Sequence, residues 1–146
     1  MTAGITMDAG GLIALDGDER RVVVLLARAR ETGARVTVPA PVLAEAIRRP
    51  ERQARLSRLI RQPTTDVIAL DRVDATSVGR VLAASGTSDI ADAHVVICAR
   101  RAGQPVVTSD PSDLHELDPT LRLIALQDST AGRGKRAPGC GPKAGL

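Results

Sequence analysis

Short β-branched runs alternate with helical stretches along most of this 146-residue chain. No other feature constrains the fold as tightly, because a repeated strand–helix–strand order builds a parallel sheet with helices on both faces. Residues 5–7 read as the first strand, 35–38 as the second, 67–70 as the third, 105–108 as the fourth and 121–126 as the last. Leu12 to Leu15 forms a short helical turn. Asp18 caps a helix to about residue 32, with Val22, Val23, Leu25, Leu26 and Ala29 as its apolar stripe and Gly33 as its stop. Pro41 opens a helix carrying Val42, Leu43, Glu45, Ala46 and Ile47, and Pro50-Glu51 starts another to about residue 62. Asp71 or Asp74 caps a helix to about residue 85. Thr87-Ser88-Asp89 begins one to about residue 102 that is apolar nearly all round and therefore buried, and Ser112 caps a last helix through Leu117.

The chain has no Phe, Tyr or Trp. Its core must be built from branched aliphatics and Ala. Contact with nucleic acid would rely on Arg stacking in place of the usual aromatic platform. Every basic residue up to Thr130 is Arg, and the first Lys is Lys135. That disfavours receiver-like and haloacid-dehalogenase-like phosphotransfer domains, which need a core Lys beside the phosphoryl group. Residues 131–146 hold Arg133, Lys135, Arg136 and Lys143 with no acid, leaving 16 Arg against 17 acids before them. The net charge of +3 thus comes from the tail and says little about nucleic-acid binding. The expected division is a folded domain over 1–127 and a flexible basic Gly/Pro-rich tail over 128–146. Cys98 and Cys140, in an apolar helix and that tail, make no disulfide framework, so a cytoplasmic setting is expected. No apolar run reaches the ~18 residues of a membrane span, and no leader pattern is read at the start of the chain.

Four acids stand where a solvated acid is not expected. Asp8 follows the first strand, Glu45 interrupts an apolar helix, Asp92 lies inside Ile90-Ala91-Asp92-Ala93-His94-Val95-Val96, and Asp110 follows the fourth strand. In open parallel sheets ligands bind beyond the carboxyl ends of the strands, which groups Asp8 with Asp110. Buried carboxylates are costly and repel one another. A hard cation such as Mg²⁺ would resolve that repulsion, and the lack of a His or Cys ligand grouping disfavours zinc. Each acid has a plainer reading as a cap, Asp89 above all, and Asp110 as the cap of the turn before Ser112. Arg48, Arg49, Arg52, Arg55, Arg58 and Arg61 recur mostly every third residue. They fit an RNA phosphate track, an acidic partner segment, or a solvated face. His94 reads as a satisfied core histidine and His115 as exposed. No Walker A motif or nucleophile elbow is present.

The order of motifs resembles the PIN-domain family and, within it, the VapC-type toxins of type II toxin–antitoxin pairs. The matching pieces are Met7-Asp8-Ala9-Gly10, Val42-Leu43-Ala44-Glu45, Ser88-Asp89-Ile90-Ala91-Asp92-Ala93-His94-Val95 and Val107-Thr108-Ser109-Asp110-Pro111-Ser112-Asp113-Leu114, spread over about residues 4–126. The family often has an aromatic residue where Leu114 stands. The resemblance implies a PIN-like three-layer α/β/α fold around a central, mainly parallel sheet. It implies Mg²⁺-dependent endoribonuclease activity, with Mn²⁺ as a possible substitute, and catalytic or metal-ligating roles for Asp8, Glu45, Asp92 and Asp110. Asp89 and Asp113 would be accessory acids, with Thr108 or Ser109 orienting a carboxylate or water. It also implies a cognate VapB-type antitoxin and a homodimer. The competing expectation is a catalytically degenerate member that only binds RNA or a partner.

Overall fold

In this computed structural model, residues 4–126 are described. The expected tail and Cys140 within it lie outside them. Five parallel strands form one sheet in the order β3-β2-β1-β4-β5. They are β1 (Ile5–Met7), β2 (Val36–Pro39), β3 (Thr65–Ile68), β4 (Val106–Thr108) and β5 (Leu123–Ala125). The helices are α1 (Ala9–Asp16), α2 (Arg20–Thr32), α3 (Ala40–Ala46), α4 (Ala54–Arg61), α5 (Arg72–Ser85), α6 (Ile90–Ala102) and α7 (Pro111–Leu117), with a 3-10 turn at Pro50–Arg52. This is the expected α/β/α architecture.

The register places Met7 beside Val107, so β1 and β4 end side by side at the centre of the sheet. The three inner strands β1, β2 and β4 are buried along their length, as strands covered on both faces require, while the edge strands β3 and β5 are only partly buried. The large fully buried apolar side chains include Met7, Leu12, Leu114 and many valines, among them Val22, Val38, Val42, Val95, Val96, Val106 and Val107. α6 passes through this core with seven buried residues, as its all-round apolar sequence predicts.

Several local expectations shift. The turn expected at Leu12–Leu15 is an eight-residue helix beginning at Ala9, because Asp8 caps it by accepting a hydrogen bond from Gly11 N at 2.7 Å. Asp18 does not cap α2. It adopts φ +60°, which moves the cap to Glu19, whose carboxylate accepts from Val22 N at 3.1 Å. The helix expected over 51–62 is broken at Gln53, and Ile47 leaves the core as the exposed residue ending α3. Asp110, not Ser112, precedes α7, because Pro111 already occupies its first turn. Asp71 caps α5, accepting from Asp74 N at 2.9 Å. β3 and β5 occupy 65–68 and 123–125 in place of 67–70 and 121–126.

Asp74 instead turns inward. It accepts two hydrogen bonds from Arg101, both at 2.9 Å, and lies 2.8 Å from His94 Nε2. This polar clasp joins α5 to α6. The Arg101 guanidinium, with His94 adding, holds the Asp74 carboxyl well below the usual carboxylate range despite burial. His94 Nδ1 has no partner among the described residues, so the expectation of a satisfied core histidine holds for one ring nitrogen only.

Two helical glycines test how closely α1 is pressed onto the sheet. A Cβ on Gly11 would lie 2.9 Å from Val107 O and 3.1 Å from Met7 Cε, whereas one on Gly79 in α5 would meet nothing within 4 Å. Gly11→Ala should therefore destabilise by about 1–3 kcal/mol through overpacking. Gly79→Ala should stabilise by about 0.4–1 kcal/mol through the unfolded chain. Urea midpoints for the two variants check the contrast, and equal effects would mean that α1 is not held against β4.

Candidate active site

The carboxyl ends of β1 and β4 carry Asp8 and Asp110 one residue and two residues past the strands. Asp8 is buried, at 5% exposure. Gly11 N donates to its Oδ1, and the Thr108 hydroxyl faces its carboxylate. Burial raises the Asp8 pKa, with the charge of Asp110 adding to it. The Thr108 hydroxyl and the N–H groups of Gly11 and Gly10 pull it back. Thr108, fully buried, also accepts from Asp110 N at 2.8 Å. One hydroxyl therefore serves both strand ends. Ser109 is exposed, and its Oγ stands 2.0 Å from where a Gly10 Cβ would be, so Gly10 leaves the space this hydroxyl occupies.

Asp92 enters from the first turn of α6. Asp89 caps that helix, accepting from Asp92 N at 2.9 Å, as its place in the sequence predicts. The Asp92 carboxyl is half-buried, and burial is the main reason its pKa is pushed up to about 7. The charges of Asp89, Asp8, Asp113 and Glu45 add to the rise. Asp113, from α7, is also raised, first by its carboxyl–carboxyl hydrogen bond with Asp110, then by burial and the charges of Asp110 and Asp89. A cleft of about 310 Å³ opens between Ser88, Asp89, Asp92, Asp113 and Glu116.

Six acids thus share one electrostatic neighbourhood at one edge of the sheet. They do not share one degree of burial. Asp8 is buried and Asp92 half-buried, but Glu45 and Asp110 are exposed, which corrects the expectation that all four face inward. Glu45 sits on the solvent side of α3, whose apolar face is carried by Val42 and Ala46. Among the described residues none of the six forms an ion pair with Arg or His, whereas Asp18, Asp66, Asp74 and Asp118 all do.

The donor set is all oxygen and anionic, which suits a hard divalent cation. Among the described residues, the metal-capable group drawn within 4.8 Å is a different one: Asp74, His94 and Cys98. Arg101 occupies the Asp74 carboxylate there, and burial pushes the Cys98 thiol up to about 11, so this is an internal ion-pair cluster. No three acids of the site meet that spacing.

The arginines divide. Arg48, Arg49 and Arg52 line one cleft, while Arg55 turns away to pair with Asp18 at 3.3 Å. The sequence reading missed Asp74 as a buried acid, although Asp74 and Val78 share a helix face, as do His94 and Arg101. It also missed Gln53, which carries no sequence signal.

In chelator, stability should fall as pH rises. The folded-state pKa of Asp92 is raised from 3.8 to about 7, so the folded protein binds more protons than the unfolded chain between those values. The raised Asp8 and Asp113 act in the same direction. Asp92→Asn should flatten much of this slope and melt above the wild type at pH 8. Thermal melts of both proteins across that range decide it, and parallel profiles would mean that Asp92 is solvated.

The PIN domain family profile matches residues 5–118. No curated protein matches the chain. Among solved structures, VapBC2 from Rickettsia felis bound to a DNA fragment from their promoter is similar at TM-score 0.59 and 14% identity, covering 83% of this chain and 97% of that one. FitAB bound to an IR36 DNA fragment is similar at TM-score 0.57 and 15% identity, covering 83% and 94%. FitAcB from Neisseria gonorrhoeae is similar at TM-score 0.56 and 17% identity, covering 82% and 96%. At such identities these likenesses show the fold. The family match spans most of the chain, and the chain belongs to the PIN domain family.

Proposed function

We propose that this PIN-domain chain is a Mg²⁺-dependent endoribonuclease and the toxin of a type II toxin–antitoxin pair. The observation that carries the reading is the gathering of Asp8, Glu45, Asp89, Asp92, Asp110 and Asp113 at the carboxyl ends of β1 and β4, with none of the six ion-paired to Arg or His among the described residues. Asp8, Glu45, Asp92 and Asp110 are the proposed metal-holding and catalytic residues. Asp89 and Asp113 are accessory acids, and Thr108 and Ser109 orient groups at the strand ends. A bound divalent cation supplies Lewis-acid stabilisation of a phosphodiester and a more acidic water.

The chain's own residues do the rest. Gly11 N and Thr108 fix the Asp8 carboxylate in one orientation. The Thr108–Asp110 N bond sets where the chain turns after β4. Burial and the like charges of Asp89, Asp8, Asp113 and Glu45 raise the Asp92 pKa, a repulsion a bound cation would relieve, and one carboxylate of the set would accept the proton of the attacking water. RNA is the proposed substrate, with Arg48, Arg49 and Arg52 for its phosphates; Arg55, expected with them, is paired with Asp18 instead. A VapB-type antitoxin is the proposed partner, in keeping with the VapBC2 and FitAB assemblies that share the fold. A homodimer and a cytoplasmic setting complete the proposal. Among the described residues no single helix is long and apolar enough to cross a membrane.

Asp8→Asn, Glu45→Gln, Asp92→Asn and Asp110→Asn should each lower RNA cleavage by at least ~10²-fold. The double variant Asp8→Asn/Asp92→Asn should be little worse than either single, because groups acting on one centre are non-additive. Mg²⁺ should stabilise the wild type by about 2.7 kcal/mol at ~100 times its dissociation constant and leave Asp92→Asn nearly unmoved. Cleavage rates with a purified RNA and melts in a Mg²⁺ series test both. Binding of RNA without cleavage in Mg²⁺ or Mn²⁺ would instead mark a degenerate binding module.

A further inference from the structure

We propose that Gln53 is a positioning residue. It holds Arg48, Arg49 and Arg52 together as a seat for the phosphate backbone of an RNA strand entering the acidic site. The inference rests on the nuclease reading and adds a substrate subsite to it.

Gln53 is a buried polar side chain, at 5% exposure, with every hydrogen-bonding atom used. Its Oε1 accepts from the backbone N–H groups of both Arg48 and Arg49 at 3.0 Å. Its Nε2 donates to Ala46 O at 2.9 Å. One amide therefore satisfies a carbonyl in the last turn of α3 and two N–H groups of the segment that follows. Asp or Glu would lose the donor, and an apolar residue would leave three backbone groups without partners. The result is a fixed loop with a 3-10 turn at Pro50–Arg52 in place of a continued helix.

What this loop displays is charge. Arg48, Arg49 and Arg52 are exposed and, among the described residues, have no carboxylate within 4 Å. They line a cleft of about 310 Å³ together with Ile13, Asp16 and Gln53. Arg55 and Arg58 line a separate cleft against α2, so the sixfold repeat in the sequence is not one stripe. The cleft adjoins the acids, because Arg48 Nε donates to Glu45 O at 3.3 Å and the Glu45 charge is felt at Asp92. An anionic cluster alone repels a nucleic acid. Guanidinium groups on a rigid loop at its edge supply local attraction and a bidentate geometry for phosphate oxygens. A phosphodiester strand is favoured over an acidic protein segment because Arg48, at the edge of the cleft, is bonded to the backbone of Glu45, one of the proposed catalytic acids.

The test measures binding of a short fluorescent single-stranded RNA by the full chain in chelator across a salt series, and cleavage in Mg²⁺. Arg48→Ala/Arg49→Ala/Arg52→Ala should weaken binding at least ~10-fold at low salt and lower the salt slope by about two. Gln53→Ala should weaken binding in the same direction, raise KM and leave kcat within about threefold. Adding Gln53→Ala to the triple variant should cause no further loss of affinity, since Gln53 acts through those arginines. An additional loss of the full Gln53→Ala factor, or a fall in kcat with KM unchanged, would overturn the proposal and leave Gln53 as a brace for α3 and Glu45. Binding of a polyglutamate peptide that needs the three arginines while RNA binding does not would also overturn it, giving the cleft to an acidic protein. In either case cleavage by the wild type would still stand. Failure of the wild type to cleave RNA at all would instead count against the nuclease reading.

Discussion

The Thr108 hydroxyl accepts from Asp110 N at 2.8 Å and faces the Asp8 carboxylate, so it ties together the ends of the two central strands. The geometry of the site depends on that junction. The junction in turn depends on parallel pairing of β1 with β4, since only a parallel register ends both strands at the same edge. It also depends on glycine. α1 begins immediately after β1 and crosses the end of β4 so closely that Gly10 and Gly11 have no room for a side chain. A helix start is a poor place for two glycines by propensity. Here close approach outweighs propensity, and Asp8 offsets part of the loss by capping the helix it precedes.

Gathering six acids opposes folding, and the structure carries compensation away from the site. α6 brings Asp89 and Asp92 to the cluster at its N-terminal end, where the helix dipole favours negative charge. The same helix is anchored further along by Val95, Val96 and Ala99 in the core and by the Arg101–Asp74–His94 clasp to α5. Its position is therefore set by contacts that do not involve the clustered acids. Asp118 reinforces the C-terminal side by pairing with Arg100 at 2.8 Å and accepting from Thr120.

Alternation and β-branching made the sheet legible in the sequence, because a strand covered on both faces must be apolar throughout. Gly33, Asp89 and Pro41 mark boundaries through local backbone chemistry, and the structure uses all three that way. Asp18 misled because a cap depends on φ, and its left-handed conformation moved the role to Glu19. The break at Gln53 was invisible because its cause is a buried side-chain amide reaching back to Ala46, a tertiary contact with no periodic signature. In the site, strand-end logic located Asp8 and Asp110. Neither that logic nor the apolar pattern around Glu45 separates a buried acid from an exposed one, so Glu45 reads as shielded from solvent although it is exposed on a seven-residue helix.

Two buried aspartates show how a neutralised acid differs physically from one left unneutralised. Asp8 and Asp74 have nearly equal exposure, 5% and 3%. Asp74 meets a guanidinium in bidentate contact and a histidine, and its carboxyl is driven down. Its charge is neutralised inside the protein, so nothing further is required of it. Asp8 receives a backbone N–H and a hydroxyl, dipoles that orient the carboxylate without cancelling it, and its carboxyl is driven up. The same contrast separates Asp92 from Asp118: one acid is surrounded by like charge and the other is paired with Arg100. A buried acid left oriented but unneutralised is held in a state that only a proton or an external cation can relieve. The sequence supplies Arg to Asp18, Asp66, Asp74 and Asp118 and to none of the six clustered acids among the described residues. Arginine pairing thus separates Asp74 and Asp118, whose charge is met inside the fold, from Asp8 and Asp92, whose charge is not.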